Sequence, residues 1–225
     1  MTDLKLAIFD VDGTLVDSQA DILASMEAAF AETGRPAPDR KSVLGVVGLS
    51  LPQAIAQLAP DMPPTILDKM VEAYKTRYAA LRQSGGTEAS PLFPGMTDLL
   101  ERLSQVDHLL LGIATGKSRR GLDALLESLN LGRYFVTTQV ADDHPSKPHP
   151  SMLLTAMVEA GVEPANAVMI GDTSFDMEMA QAARMPAIGV SWGYHPATSL
   201  GAARCVVEDA EGLETAIRET LGEPA

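Results

Sequence analysis

The chain has 225 residues, of which 46% are apolar, with a formal net charge of −13 and one cysteine, Cys205. This apolar share fills a core and excludes a disordered chain; a lone cysteine excludes an internal disulfide and argues against a cysteine zinc site. The acidic balance argues against nucleic acid or an anionic membrane as partner, because both need a basic footprint.

The first predicted element is a strand over Leu4 to Val11, nearly all apolar, running into Asp10-Val11-Asp12-Gly13-Thr14. Residues 16 to about 90 then read as helical, with Ser18 as a candidate cap of a helix to Thr33 and Gly34 as its stop. Leu51 to Leu58 and Pro64 to Arg82 are further helical patterns, and "QSGGTEASPLFPG" (83–95) has the composition of a hinge. Strands follow at Leu109 to Ala114, Tyr134 to Thr138, Ala167 to Ile170, Ala187 to Ser191 and Cys205 to Val207. Amphipathic stretches at Ser118 to Leu129, Ser151 to Ala160 and Asp176 to Ala183 separate the earlier of them, and a helix begins at Met96. Apolar strands alternating with helices predict an α/β fold with a parallel sheet covered on both faces. The expected division is a core of 1–15 and 91–225 with a helical insert over 16–90. No apolar run approaches ~18 residues, so no membrane span is expected. The start MTDLKLAIFD lacks a basic segment followed by a long apolar one, and the expected location is the cytoplasm.

In open α/β sheets ligands bind beyond the carboxyl ends of the strands. Those ends carry Asp10 and Asp12, then Thr115-Gly116-Lys117, then Gly171-Asp172 with Asp176 four residues on, while "SKPHP" puts Lys147 on a proline-flanked loop. Two unit charges about 4 Å apart at an effective dielectric near 20 interact by roughly 4 kcal/mol. Asp10, Asp12 and Asp172 as bare anions therefore call for a cation, and oxygen ligands with open positions suit Mg²⁺. Lys147 adds positive charge for a phosphoryl oxygen, Thr115 a hydroxyl, and Gly116 lets backbone N–H groups approach an anion. Together these parts make a phosphoryl-transfer site.

"DVDGT", "ATG", "SKP" and "GDTSFD", in this order at strand ends, resemble the haloacid dehalogenase superfamily. The insert after the first motif resembles the subclass with a helical cap, which includes phosphoglycolate phosphatases and β-phosphoglucomutase; "PLFPG" is similar to its second hinge and "WGYH" (192–195) to phosphoglycolate phosphatase-like members. The resemblance covers essentially the whole chain. It implies a Rossmann-like core of strand order 5-4-1-2-3, with Asp10 as nucleophile forming an aspartyl-phosphate and Asp12 as general acid and then base. It implies Mg²⁺ held by Asp10, the backbone carbonyl of Asp12 and Asp172. Thr115, Gly116 and Lys147 would contact the substrate's phosphoryl group, and Asp176 would hold a metal-bound water or steady Lys147. The substrate would be a small phosphorylated metabolite and the protein a monomer or homodimer. An aspartate at position 12 favours phosphate-ester hydrolysis or mutase chemistry over carbon–halogen cleavage.

Loop 45–51, "GVVGLSL", fits the position of the family's specificity loop and is uncharged. It supplies no cation for a second phosphate or a carboxylate, which weighs against a phosphomutase. A phospho-accepting signalling domain also combines acidic residues, a hydroxyl and a lysine, but such domains span about 120 residues without an insert. Lys117, Arg119 and Arg120 in "GKSRR" read either as attractors of an anionic substrate or as a solvated helix start. Trp192, Tyr194 and His195 read either as a pocket border or as packing. His144 and His149 match no zinc spacing and read as loop residues.

Overall fold

The computed structural model describes residues 3–85 and 90–222. Part of the predicted hinge, residues 86–89, lies outside them. Six strands form one parallel sheet: β1 (Lys5–Phe9), β2 (Leu109–Thr115), β3 (Phe135–Val140), β4 (Ala167–Gly171), β5 (Ala187–Val190) and β6 (Cys205–Val207). Their order is β3-β2-β1-β4-β5-β6. The expected order of five strands therefore gains a sixth at the β5 edge, where Ile188 to Val190 pair with Cys205 to Val207. The loop 191–204 carries the chain back for a further parallel crossover.

In β1, side chains alternate between the two faces of the sheet. Ala7 and Phe9 enter a core shared with α5 (Met96–Ser104), α6 (Arg119–Ser128) and α9 (Ala210–Thr220). Leu6 and Ile8 enter a second core, under α7 (Ser151–Ala160) and α8 (Ser174–Ala182). The helices dock by stripes of helical period: Met96, Leu99, Leu100 and Leu103 on α5 are all buried. Both faces of β1 are thus sealed, and its carboxyl end is fixed where Asp10 begins. Removing the Phe9 ring would cost about 3–5 kcal/mol.

Between β1 and β2 stand α1 (Gln19–Ala31), α2 (Arg40–Leu44), α3 (Leu51–Leu58) and α4 (Pro64–Gly85). They have an apolar cluster of their own, including Ile22, Met26, Phe30, Ile55 and Met70. The two chain segments entering and leaving this helical unit run side by side: Val16 bridges Leu92 in antiparallel fashion, the Asp17 N–H donates to Pro91 O (2.8 Å), and the Phe93 N–H donates to Leu15 O (2.9 Å). Ser18 stands at the start of α1 but makes no side-chain cap. Its hydroxyl donates to Asp12 Oδ1 instead.

Candidate active site

Asp10 directly follows β1, and its N–H donates to Ile170 O on the adjacent β4 (2.9 Å). This pairing of β1 with β4 brings Asp172, one residue past β4, next to Asp10. Asp10, Asp172 and Asp176 each offer a carboxylate oxygen within 4.8 Å of the others, and all three are buried. Lys147, 1% exposed, reaches in from the loop after β3 and pairs with Asp10 Oδ1 (2.9 Å) and Asp176 Oδ1 (2.6 Å). One ammonium against three carboxylates leaves an excess of negative charge in a buried site.

Burial drives the protonation behaviour. It pushes the Asp10 carboxyl up to about 7 even against the Lys147 charge, with Asp176 and Asp12 adding to the rise. The Asp172 carboxyl is also raised, first by burial and then by repulsion from Asp10 and Asp176. Burial alone would lower the Lys147 ammonium, but Asp10 and Asp176 outweigh it and hold the ammonium above its ordinary value.

The carboxylates are not equivalent. Asp176 is the third helical residue of α8 and closes a capping box with Thr173: its Oδ2 accepts from the Thr173 N–H (3.1 Å) and hydroxyl (2.7 Å), while its N–H donates to Thr173 Oγ1 (3.3 Å). With its other oxygen on Lys147, both carboxylate oxygens of Asp176 are engaged. Asp172 accepts from the Thr14 hydroxyl on Oδ1 (2.9 Å) and from the Tyr194 N–H on Oδ2 (2.8 Å). Asp10 Oδ2 is buried with no hydrogen-bond partner. The orphaned Asp10 oxygen, with the carboxylates of Asp172 and Asp176 close by, fits a hard divalent cation. The backbone folds closely round this spot. A Cβ at Gly13 (φ +87°) would lie 2.3 Å from Asp172 Oδ2, and one at Gly193 would lie 2.1 Å from Asp172 Cβ.

Asp12 faces elsewhere. Its Oδ1 accepts from the Ser18 hydroxyl and pairs with Lys117 Nζ (2.8 Å). Lys117 also donates to the Tyr78 hydroxyl on α4 (2.8 Å) and sits 4.8 Å from the centre of that ring. With a side chain 7% exposed, Lys117 is no solvated helix start. Its ammonium is raised: burial works against the charge, but Asp12 and then Tyr78 overcome it. Thr115 ends β2 fully buried, and its Oγ1 accepts from the Lys117 N–H (3.2 Å). Gly116 passes under the loop after α2, close enough that a Cβ would lie 2.6 Å from Leu49 O and 2.7 Å from Gly48 O.

A cavity of about 540 Å³ opens above these residues, and its lining includes Asp10, Asp12, Gly116, Lys117 and the loop from Val46 to Leu51. Of the residues expected to act together, Asp10, Asp172 and Lys147 meet, with Asp176 joining them, and Asp12 and Gly116 share the cavity wall with Asp10. Thr115 is adjacent in chain and buried, without a hydrogen bond to Asp10. The sequence assigned no site role to Thr14 or Gly193, and it read Ser18 only as a helix cap. It left Lys117 and Tyr194 between two readings, and both now serve the rim: Tyr194 orients Asp172, and its hydroxyl accepts from the Ser18 N–H (2.9 Å). Trp192 packs rather than lining the cavity, donating from Nε1 to Thr14 O (3.1 Å). His144 is bound to Ser151 Oγ and Gln139 Oε1 (2.8 Å each).

Residues 7–190 match the family model of the haloacid dehalogenase-like hydrolases. The chain belongs to this family. It is 37% identical over 202 residues to "Probable phosphatase IndB" of Dickeya dadantii, covering 88% of this chain and 86% of the relative. It is 32% identical over 194 residues to a phosphoglycolate phosphatase of Agrobacterium fabrum, covering 84% and 81%. A solved haloacid dehalogenase-like hydrolase from Streptococcus pneumoniae superposes with a TM-score of 0.81 at 27% identity, over 96% of this chain and 99% of the other. Among the described residues no helix is long and apolar enough to cross a membrane.

Proposed function

We propose that the chain is a Mg²⁺-dependent phosphatase that hydrolyses a small-metabolite phosphomonoester through an aspartyl-phosphate on Asp10. The observation that carries this reading is the buried, unpartnered Oδ2 of Asp10 beside Asp172, at the inner end of a cavity that Asp12 also lines. The family and the phosphatase names of its relatives support it.

In this reading Asp10 and Asp172 hold Mg²⁺ by their carboxylates, with the backbone carbonyl of Asp12 as a third ligand. Bound there, the ion neutralises charge on the phosphoryl oxygens. Lys147 favours the ionised form of Asp10 against its burial and binds a phosphoryl oxygen; Asp176 holds Lys147 in place. An Asp10 oxygen attacks phosphorus, the ester P–O bond breaks, and the departing alkoxide takes a proton from Asp12. Asp12 then takes a proton from water, whose oxygen attacks phosphorus. The bond to Asp10 breaks and phosphate leaves. Thr115 and Gly116 supply donors to the phosphoryl oxygens. Residues 16–90 act as a cap whose loop 45–51 closes on the core of 1–15 and 91–225, excluding bulk water during transfer.

Phosphate release from p-nitrophenyl phosphate and from a panel of metabolite phosphates, with Mg²⁺ and with EDTA, tests the reading. Activity is expected only with the metal, and Asp10→Asn is expected to abolish it. Undiminished turnover by Asp10→Asn would sink the nucleophile assignment. An isomerised sugar phosphate in place of free phosphate would mark a mutase.

A further inference from the structure

Lys117 follows β2 by two residues and lines the cavity together with Asp12. Its Nζ pairs with Asp12 Oδ1 (2.8 Å), and the Ser18 hydroxyl donates to the same oxygen. Among the described residues nothing donates to Asp12 Oδ2. Two donors on one oxygen, one of them charged, fix the plane of the carboxylate and leave the other oxygen unclaimed.

Lys117 is itself held on several sides. The Tyr78 hydroxyl accepts from Nζ (2.8 Å), and the ring centre lies 4.8 Å away. The Lys117 N–H donates to Thr115 Oγ1 (3.2 Å), and its carbonyl accepts from the Ala141 N–H just past β3 (3.1 Å). The side chain thus runs from the end of β2 to Asp12 while α4 of the helical unit braces it. Such bracing matters for proton transfer, because an acid or base works only within about 2.6–3.2 Å of the atom it serves. A misplacement of about 1 Å can cost about 10²-fold in rate.

We infer that Lys117 is a positioning residue: braced by Tyr78, it grips Asp12 Oδ1 and so presents Asp12 Oδ2 as the oxygen that gives and takes the proton. This rests on the phosphatase reading. The test uses p-nitrophenyl phosphate with Mg²⁺, because p-nitrophenolate departs without a proton from the enzyme. Transfer to Asp10 is then spared, while hydrolysis of the aspartyl-phosphate still needs Asp12 to take a proton from water. In Lys117→Met, kcat is expected to fall about 10²-fold. Its kcat/KM, which reports the first transfer, should stay within about 3-fold of the parent's, so KM falls with kcat. Rapid mixing should show a burst of about one p-nitrophenolate per enzyme before the slow phase. Tyr78→Phe keeps the ring and removes only the brace; it should show the same split with a smaller fall in kcat. Circular dichroism and melting curves establish that each variant is folded.

Parental kcat in Lys117→Met, or a kcat/KM that falls as far as kcat or further, would overturn this inference and leave the phosphatase reading standing. If Lys117→Met does not fold, the same two results in Tyr78→Phe decide. If the parent turns over only alkyl esters, both steps need Asp12; kcat and kcat/KM should then fall together, and parental values would overturn the inference. No phosphate release by the parent from any ester would overturn the phosphatase reading and this inference with it.

Discussion

Lys147 Nζ stands 2.9 Å from Asp10 Oδ1, and neither side chain is more than 1% exposed. The pair cannot be traded for solvent contacts, so each partner depends on the other and on whatever cation joins them. Breaking a buried pair by removing one partner leaves an uncompensated charge and costs about 3–5 kcal/mol. Lys147→Met in metal-free protein at pH 8 is therefore expected to lose stability of that size in urea denaturation. Added Mg²⁺ should recover part of the loss, and kcat/KM should still fall by about 10²-fold or more. A variant as stable as the parent in EDTA would contradict the pairing.

The raised Asp10 carboxyl has a consequence for pH. Its folded value is about 7 against an ordinary 3.8, so between these values the folded chain binds the proton that the unfolded chain has released. The associated stability is fully present below pH 3.8 and is lost as pH rises through 7, with a slope of at most about 1.4 kcal/mol per pH unit for one group. Asp172, raised in the same direction, adds to the trend. In EDTA the denaturation midpoint should thus be lower at pH 7.5 than at pH 5. A divalent cation binds the ionised carboxylates, so its stabilising effect should be greater at pH 7.5. Equal midpoints in EDTA at both pH values would show that Asp10 is not shifted in this way.

What the sequence discloses and what it hides can be traced to individual contacts. Asp10 and Asp172 were legible because each sits just past a strand end, and parallel pairing forces those ends onto one rim, while Lys147 was marked by its proline-flanked loop. The strand and helix pattern was equally plain where apolar periodicity was long, as in α7, where Ser151–Ala160 matches the expected bounds. Helix α2 has only five residues, too few to establish a period, and went unread. The environment of Asp12 was hidden for a different reason. Its partners Ser18 and Lys117 come from α1's start and from beyond β2, and Tyr78 from α4 holds Lys117; no spacing within one segment marks the three as a set. Asp176 was ambiguous because its capping box with Thr173 looks the same in sequence whether or not Lys147 occupies its other oxygen.

Gly193 is a site where the backbone itself protects a carboxylate. A Cβ there would lie 2.1 Å from Asp172 Cβ and 2.4 Å from its Cγ, forcing the side chain away from the Tyr194 N–H. Supporting contacts of this kind typically change metal affinity by about 10–100-fold. Gly193→Ala should weaken Mg²⁺ binding by that factor in isothermal titration calorimetry, while its far-UV circular dichroism stays that of the parent. Retention of the parent's affinity would remove Asp172 from the metal site or show that the loop yields freely.

Gly116 separates two functions that a single substitution can pull apart. A Cβ at this position would press on backbone, 2.6 Å from Leu49 O and 2.7 Å from Gly48 O, and backbone cannot swing aside as a flexible side chain does. The Ser50 N–H donates to Ser146 Oγ (2.8 Å), one residue from Lys147, so the loop's second anchor is tied to the same rim. Gly116→Ala should therefore lift loop 45–51 while leaving Asp10, Lys147 and Asp172 in place. The expected result is a fall of about 10-fold or more in kcat/KM with Mg²⁺ affinity unchanged, accompanied by faster amide exchange at Val46 to Ser50. Slower catalysis with parental exchange in that loop would instead assign the loss to the donors that Gly116 offers the phosphoryl group, which separates closure of the helical unit from binding at the strand end.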